Sequence, residues 1–221
     1  MNGRRGKLVL YSDQIPPKTD RADDRLLALL GKSRARMGYL GSAREPDRTF
    51  YAARKSYYAR LGIELLPHVD VEDLRSGAHL TALLNADAIH LSGGNTFAFL
   101  ARLRTHQLLD PLRRFAADGG VLVGVSAGAI LLTPNTRTGL LCGDRPPAEV
   151  SDPSGLGLVD FAFVPHLGRF ASIAELEAYS RENAQLLYAC PDGAAIAVDD
   201  GAVECIGEVV RIEGGVAARG T

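Results

Sequence analysis

The stretch VLVGVSAGA, residues 121–129, joins an apolar run to a serine that has glycines on both sides. The apolar run predicts a buried strand, and the glycines permit a sharp reversal into a helix. Residues 124–128 match the pattern G-x-S-x-G, in which the serine hydroxyl stands clear of the sheet as a nucleophile. A glycine-rich turn that packs helix against strand or holds a phosphate, with Ser126 as a cap, fits the same residues equally well. Other residues must decide between these interpretations.

Apolar strands alternate with helices on the amino-terminal side of this stretch. This alternation predicts an α/β fold with a parallel sheet covered on both faces. The predicted strands are 7–11, 36–40, 63–66, 88–91 and 121–125, and the predicted helices include 25–30, 48–61, 70–84 and 110–117. After residue 132 the pattern changes to a strand at 159–164, a helix at 173–188 and short antiparallel strands at 195–198, 203–206 and 209–212.

Composition narrows the class of protein. A chain of 221 residues, 46% hydrophobic and 23% charged, predicts one domain over residues 1–221, as a monomer or homodimer. The formal net charge of −1 disfavours nucleic acid and anionic membranes as partners. The three cysteines form no CxxC pair, which predicts a reducing cytoplasm rather than disulfides or a zinc site. The apolar run near Met1 is too short for a signal peptide or membrane span.

A nucleophilic serine needs a general base, and His166 is the only histidine that follows Ser126. His166 comes just after a predicted strand, at the edge of the sheet where active-site loops gather. The other four histidines are less suitable, because they lie in a buried strand, in a helix pattern or in the first half of the chain: His90, His106, His68 and His79. His166 is therefore the candidate base.

The base in turn needs a carboxylate that orients its ring. Spacing alone does not choose among the acids that follow Ser126: Asp144, Glu149, Asp152, Asp160, Asp192, Asp199 and Asp200. An acid before the histidine would follow the order of the α/β-hydrolases, and an acid after it would be a different arrangement.

The loop Gly93–Gly94–Asn95–Thr96 ends the predicted strand that precedes the serine. It should open beside Ser126 at the carboxyl edge of the sheet. The amides of Gly94 and Ala127 could there stabilise an oxyanion, while a helix-capping turn with Asn95 or Thr96 as the cap fits the loop equally well. Both interpretations can hold together.

Five segments in this order carry a resemblance over most of the chain: LSGGNTFAFL, GVSAGAILLTPNTRT, GDRPP, FVPHL and AVDDGAV. Together they resemble the serine peptidase family of dipeptidase E (α-aspartyl dipeptidase) and cyanophycinase. The resemblance implies a flavodoxin-like three-layer sandwich related to class I glutamine amidotransferases, and hydrolysis of short peptides without metal or cofactor. It assigns Ser126 as nucleophile, His166 as base, and Gly94 and Ala127 as oxyanion donors.

The resemblance also implies the remaining site residues. It matches Asp200 to the family's acid and Asp144 to a second acidic position, and we expect Asp200 to complete the triad. Asn95 and Arg137 are the expected substrate contacts. The basic run that would recognise an N-terminal aspartate is replaced here by residues 178–182, AYSRE, so that specificity would need Arg137, Arg169 or Arg181.

Two other functions remain open at this point. An esterase of the α/β-hydrolase type would use Ser126 and His166 with Asp144 or Asp160. A non-catalytic ligand-binding or regulatory domain would keep the fold without the reaction.

Overall fold

Strands and helices alternate along the computed structural model, which describes residues 6–75, 77–146 and 152–220. The strands in these ranges are β1 (Lys7–Tyr11), β2 (Arg36–Leu40), β3 (Glu64–Leu65), β4 (Ala88–Leu91), β5 (Val121–Val125), β6 (Ala162–Val164), β7 (Leu187–Ala189), β8 (Ala195–Asp199), β9 (Ala202–Ile206), β10 (Val210–Glu213) and β11 (Val216–Arg219). The α-helices there are α1 (Asp20–Leu30), α2 (Thr49–Arg60), α3 (Gly77–Leu84), α4 (Thr96–Thr105), α5 (Leu109–Ala117), α6 (Ala127–Leu131) and α7 (Ile173–Asn183). None of the described helices has the length and apolar character needed to cross a membrane.

The larger sheet has the strand order β3-β2-β4-β5-β1-β8-β9 within the described residues. Its first five strands are parallel, and β8 and β9 are antiparallel to their neighbours. The expected α/β fold with a mostly parallel sheet is therefore confirmed. Because the carboxyl ends of parallel strands meet at one edge, the loops after β1, β4 and β5 lie together.

Both faces of the larger sheet are buried. Along β1, Leu8 and Leu10 belong to one apolar cluster, while Val9 and Tyr11 belong to another. The first cluster includes residues of α4, α5 and α6, and the second includes residues of α1 and α2. This alternation follows from the two-residue period of a strand and explains why the interiors of the parallel strands are mostly apolar.

A second sheet, with the order β11-β10-β7-β6, forms from the later part of the described chain. Its strands β6 and β7 are parallel neighbours joined by α7, which begins with a capping box between Ser172 and Glu175. The predicted helix over residues 173–188 is too long. The helix ends at Asn183, Ala184 adopts a left-handed conformation, and residues 187–189 pair as a buried strand with β6 and β10.

Candidate active site

Ser126 lies at the turn between β5 and α6, with φ 51° and ψ −111°. These dihedrals are sparsely populated by residues with a side chain. The flanking glycines make the turn possible, because a Cβ at Gly124 would lie 2.6 Å from the backbone of Ala129, and one at Gly128 would lie 2.1 Å from the Leu91 carbonyl oxygen. The chain therefore reverses tightly enough to present the serine at the carboxyl edge of the sheet.

The strain at Ser126 gives a stability prediction. Relative to Ser126→Ala, we expect Ser126→Gly to raise the free energy of unfolding by about 1 kcal/mol, since relief of a strained dihedral outweighs the extra freedom of glycine in the unfolded chain. Urea unfolding of both variants measures this difference. Both lack the hydroxyl, so a glycine variant that is less stable than the alanine variant would contradict a strained turn.

His166 contacts this serine from the loop after β6. Its Nε2 lies 2.9 Å from Ser126 Oγ, although 40 residues separate the two in the chain. His166 also has a positive φ of 57°, which turns the chain at the end of the strand. Its side chain is 13% exposed, so the ring is largely shielded from water. The structure thus brings together the serine and the histidine that the sequence singled out.

The carboxylate in contact with His166 belongs to Asp192. Its Oδ1 accepts a hydrogen bond from His166 Nδ1. The pairing of β6 with β7 explains this contact. His166 follows β6 by two residues and Asp192 follows β7 by three, and the two strands are parallel with Val164 opposite Ala189. Their loops therefore meet at one edge.

The prediction that Asp200 orients His166 is wrong. Strand β8 runs antiparallel to β1, with Ala195 opposite Tyr11 and Asp199 opposite Lys7. Asp200 consequently lies past Lys7, at the opposite edge of the sheet from Ser126. Four residues of strand separate the two edges by about 13 Å.

Asp144, the alternative acid, does not contact His166 either. Its carboxylate accepts a hydrogen bond of 2.8 Å from the backbone N–H of Thr96, at the start of α4. A carboxylate at a helix N-terminus stabilises the helix through the unpaired N–H groups there. The other acids considered lie elsewhere or outside the described residues: Asp152 pairs with Arg104, Asp199 pairs with Arg25, Asp160 lines a cavity away from Ser126, and Glu149 is not among the described residues.

Ser12, which the sequence analysis missed, links these loops to the larger sheet. It follows β1 directly and is fully buried. Its Oγ accepts a bond of 2.8 Å from the backbone N–H of His166 and lies 2.9 Å from the Cys190 carbonyl oxygen and 3.3 Å from Asp192 Oδ1. The hydroxyl can donate to either oxygen, so it holds the histidine backbone and the carboxylate together.

The loop after β4 lies beside Ser126, as expected. A Cβ at Gly93 would lie 3.6 Å from that of Ser126. The Gly93 carbonyl oxygen accepts a bond of 2.6 Å from Ser42 Oγ, so the N–H of Gly94 points away from Ser42 because a trans peptide is planar. Asn95 caps α4 by accepting a bond of 2.9 Å from Ala98 N.

A cavity of about 560 Å³ opens beside Ser126 and His166 and is called the Ser126 cavity below. Its lining includes the loop residues 93–95 and the side chains of Asp13, Phe50, Arg54 and His90. A larger cavity of about 1170 Å³ shares a wall with it but has neither Ser126 nor His166 in its lining. The contact between Ser126 and His166 therefore belongs to the smaller cavity.

His90 lies at the buried end of a polar chain along this cavity. Arg54 donates to Gln14 Oε1 at 2.6 Å, and Gln14 Nε2 donates to Tyr58 Oη at 3.0 Å. The Tyr58 hydroxyl therefore donates to His90 Nδ1, 2.8 Å away, and neutral His90 carries its proton on Nε2. Burial lowers the pKa of His90 to about 3, with a smaller contribution from the Arg54 charge.

This lowered pKa gives a pH prediction. Between pH 6.5 and pH 3 the unfolded chain binds a proton at His90 that the folded chain does not, so this group should lower the unfolding free energy by about 1.4 kcal/mol per pH unit as the pH falls. His90→Asn removes the titration and keeps an acceptor for Tyr58. Chemical denaturation at pH 7, 6 and 5 should show the advantage of the parent over this variant shrinking by about 0.7 kcal/mol from pH 7 to pH 6 and by about 1.2 kcal/mol from pH 6 to pH 5. A constant difference would contradict the prediction.

The arginines expected at the substrate do not line the Ser126 cavity. Arg137 lines a separate polar cavity of about 660 Å³ with Tyr179 and Asn183. Arg169 stacks on the ring of Phe170, and Arg181 lies 3.4 Å from the Gly215 carbonyl oxygen beside the second sheet. Arg137 therefore lies outside the lining of the Ser126 cavity, whereas Asn95 is part of it, and a substrate contact of Arg137 stays a prediction.

The described residues include no group of three or more histidine, cysteine or acidic side chains that could hold a metal ion.

Comparisons with known proteins show which proteins this chain is similar to. Residues 8–206 match the family model of Peptidase family S51. Peptidase E of Nostoc sp. PCC 7120 is 30% identical over 133 residues, which are 56% of this chain and 53% of the relative. A protein named probable alpha-aspartyl dipeptidase from Drosophila melanogaster is 40% identical over 86 residues, which are 38% of this chain and 35% of the relative. The matches thus span about half or less of the length of these curated relatives.

A solved structure supports the fold over nearly the whole chain. A peptidase E-type protein from Listeria monocytogenes EGD-e superposes with a TM-score of 0.73, at 23% sequence identity, over 90% of this chain and 97% of that chain. This likeness concerns the fold, because the sequence identity is low.

Proposed function

Because this chain belongs to peptidase family S51, we propose that it is a serine hydrolase that cleaves short peptides, with Ser126, His166 and Asp192 as its triad. The observation that carries the proposal is the 2.9 Å contact between Ser126 Oγ and His166 Nε2. The carboxylate of Asp192 lies on the other ring nitrogen. All 221 residues act as one peptidase domain in this proposal.

The proton positions follow from the contacts of His166. Since Asp192 accepts from Nδ1, the neutral ring carries its proton there and directs the lone pair of Nε2 at the serine hydroxyl. When Nε2 takes the serine proton, the ring becomes a cation and the adjacent carboxylate stabilises it.

Acyl transfer then proceeds in two halves. Ser126 Oγ attacks the peptide carbonyl carbon while His166 takes the hydroxyl proton. The tetrahedral intermediate collapses as the C–N bond breaks, and the imidazolium gives its proton to the leaving amine. Water then attacks the acyl-enzyme, with His166 accepting its proton, and the serine leaves as the hydroxyl while the carboxylic acid product departs.

Two backbone amides are positioned to stabilise the oxyanion in this proposal. Ala127 is the first residue of α6, so its N–H is one of the donors that has no partner within the helix. The N–H of Gly94 points away from Ser42, in a loop that packs against Ser126. Loss of one such donor costs about 10²- to 10³-fold in turnover in well-studied hydrolases.

The cavity favours small substrates. A volume of about 560 Å³ is in the range of sites that bind small ligands, which fits a short peptide better than a protein segment. Arg137, Arg169 and Arg181 lie outside the cavity lining, so this proposal assigns none of these three arginines to an N-terminal aspartate.

Two measurements test the proposal together. A fluorophosphonate probe should label Ser126 under native conditions, and a dipeptide and tripeptide library followed by mass spectrometry should show cleavage. Hydrolysis of simple esters without peptide cleavage would favour the esterase alternative. Absence of both labelling and cleavage would favour a ligand-binding domain of this fold.

A further inference from the structure

Arg54, on α2, is one of the residues that line the Ser126 cavity, and its charge acts on His90 and Tyr39 in the same lining. Its Nη1 donates to Gln14 Oε1 at 2.6 Å, and its central carbon lies 5.3 Å from the centroid of the Tyr57 ring. Both partners are neutral, and a guanidinium has five N–H donors. The side chain is partly exposed, so donors are left for a ligand.

No carboxylate of the described residues lies within ion-pair distance of Arg54. The other arginine on the cavity, Arg44, is paired with a carboxylate, since its Nε lies 3.5 Å from Asp70. The cavity also holds Asp13, whose carboxylate accepts a bond from its neighbouring backbone N–H of Gln14. The cavity lining therefore has one guanidinium that no described carboxylate pairs with. It also has two carboxylates, Asp13 and Glu45, and Glu45 accepts bonds from Tyr39 Oη and Tyr51 N.

The guanidinium is held in place by buried groups. Gln14 is 5% exposed, and its amide orientation is fixed because Oε1 faces a donor while Nε2 faces Tyr58. Tyr58 is fully buried and is bonded to His90. This chain of bonds limits the movement of the Gln14 amide, so less side-chain freedom of Arg54 is lost when a ligand binds.

We propose that Arg54 is a specificity-determining residue that binds a carboxylate of the peptide in the Ser126 cavity. The inference rests on the proposed function for the identity of the ligand as a peptide. A guanidinium matches the planar geometry of a carboxylate with two parallel hydrogen bonds. Asp13 makes a small free anion a poor ligand, whereas the ammonium group of a peptide is compatible with it.

The recognised carboxylate has two sources in a short peptide: an acidic side chain or the C-terminal α-carboxylate. Calorimetric binding to the Ser126→Ala protein separates them without need of hydrolysis. Asp-Ala against Asn-Ala tests the side chain, and Asn-Ala against Asn-Ala amide tests the α-carboxylate. Adding Arg54→Met should weaken binding about 10- to 100-fold for peptides that carry the recognised carboxylate, and less than 2-fold for the neutral counterpart.

Two further variants sharpen this experiment. Arg54→Lys keeps the positive charge but loses the planar guanidinium that makes two parallel hydrogen bonds, so it should recover only part of the affinity. Arg44→Met is the matched control, since it removes a paired arginine from the same cavity, and should change binding less than 2-fold. Circular dichroism and thermal unfolding establish that each variant is folded.

Several results would overturn the inference. These are equal weakening of all peptides by Arg54→Met, no weakening of any, or no binding of any peptide to the Ser126→Ala protein. Cleavage of peptides by the parent protein is scored separately. Cleavage with no dependence on Arg54 contradicts this inference alone, whereas Arg54-dependent binding without cleavage supports it and contradicts the proposed function.

Discussion

Replacement of Ser126 by alanine should lower peptide turnover by on the order of a millionfold while leaving the fold intact. In the proposed reaction the Ser126 oxygen forms the bond to the substrate carbonyl carbon. His166 Nε2 lies 2.9 Å behind this oxygen and cannot take its place as the nucleophile. Alanine keeps the Cβ and the strained dihedrals of the turn, so the unfolding free energy should change by no more than about 1 kcal/mol, the worth of one hydrogen bond.

A peptide panel with purified variant and parent at equal concentration measures this effect. Ser42→Ala is a useful control, because Ser42 also lines the cavity but bonds to the Gly93 carbonyl rather than to a histidine. It should reduce turnover far less than Ser126→Ala. Parental turnover in the Ser126→Ala protein would remove the nucleophile from the proposal.

The part of the site that the sequence predicted rests on parallel strands. The alternation of strands and helices indicates that β4 and β5 run the same way, so the loops that follow them must share an edge. Pairing of Leu91 with Gly124 shows the two strands side by side. Gly94 and Ser126 could therefore be placed together without coordinates, and His166 followed by elimination among five histidines.

Asp192 is among the candidate acids of the sequence, but nothing singles it out there, because residues 173–188 are predicted to form one helix. Leu186 and Leu187 continue the apolar spacing of α7, and a strand of three residues gives too little period-two signal to compete. Had β7 been recognised as a parallel neighbour of β6, Asp192 would have followed at the same edge as His166. Residues 187–189 form a strand because they are buried between β6 and β10, and this tertiary pairing outweighs their local helix propensity.

For Asp200 the strand pattern of the sequence was predicted correctly, but the residue was assigned to the wrong edge of the sheet. The tail was correctly expected to form antiparallel strands, and a strand antiparallel to β1 must end at the edge where β1 begins. The motif resemblance was given more weight than this direction of the chain. Arg54 belongs to none of the sequence motifs. Its place at the cavity depends on how α2 packs against the sheet, and no local sequence pattern predicts that packing.

Asp192→Asn should lower turnover by about 10⁴-fold, as loss of the orienting carboxylate does in other triads. An asparagine that turns its NH₂ to Nδ1 forces the imidazole proton onto Nε2, which then faces Ser126 as a donor and cannot take the serine proton. Ser12 can still hold the backbone of His166, so the fold and the ring position should persist.

Asp200→Asn is the matched control for this substitution. Residue 200 is exposed and has a left-handed φ of 48°, which asparagine adopts as readily as aspartate. Its turnover should stay within 2-fold of the parent, since the side chain lies at the far edge of the sheet. A larger loss in Asp200→Asn than in Asp192→Asn would contradict the assignment of Asp192 as the carboxylate that orients His166. We expect the reverse order, because Nε2 and Nδ1 of His166 already contact Ser126 and Asp192.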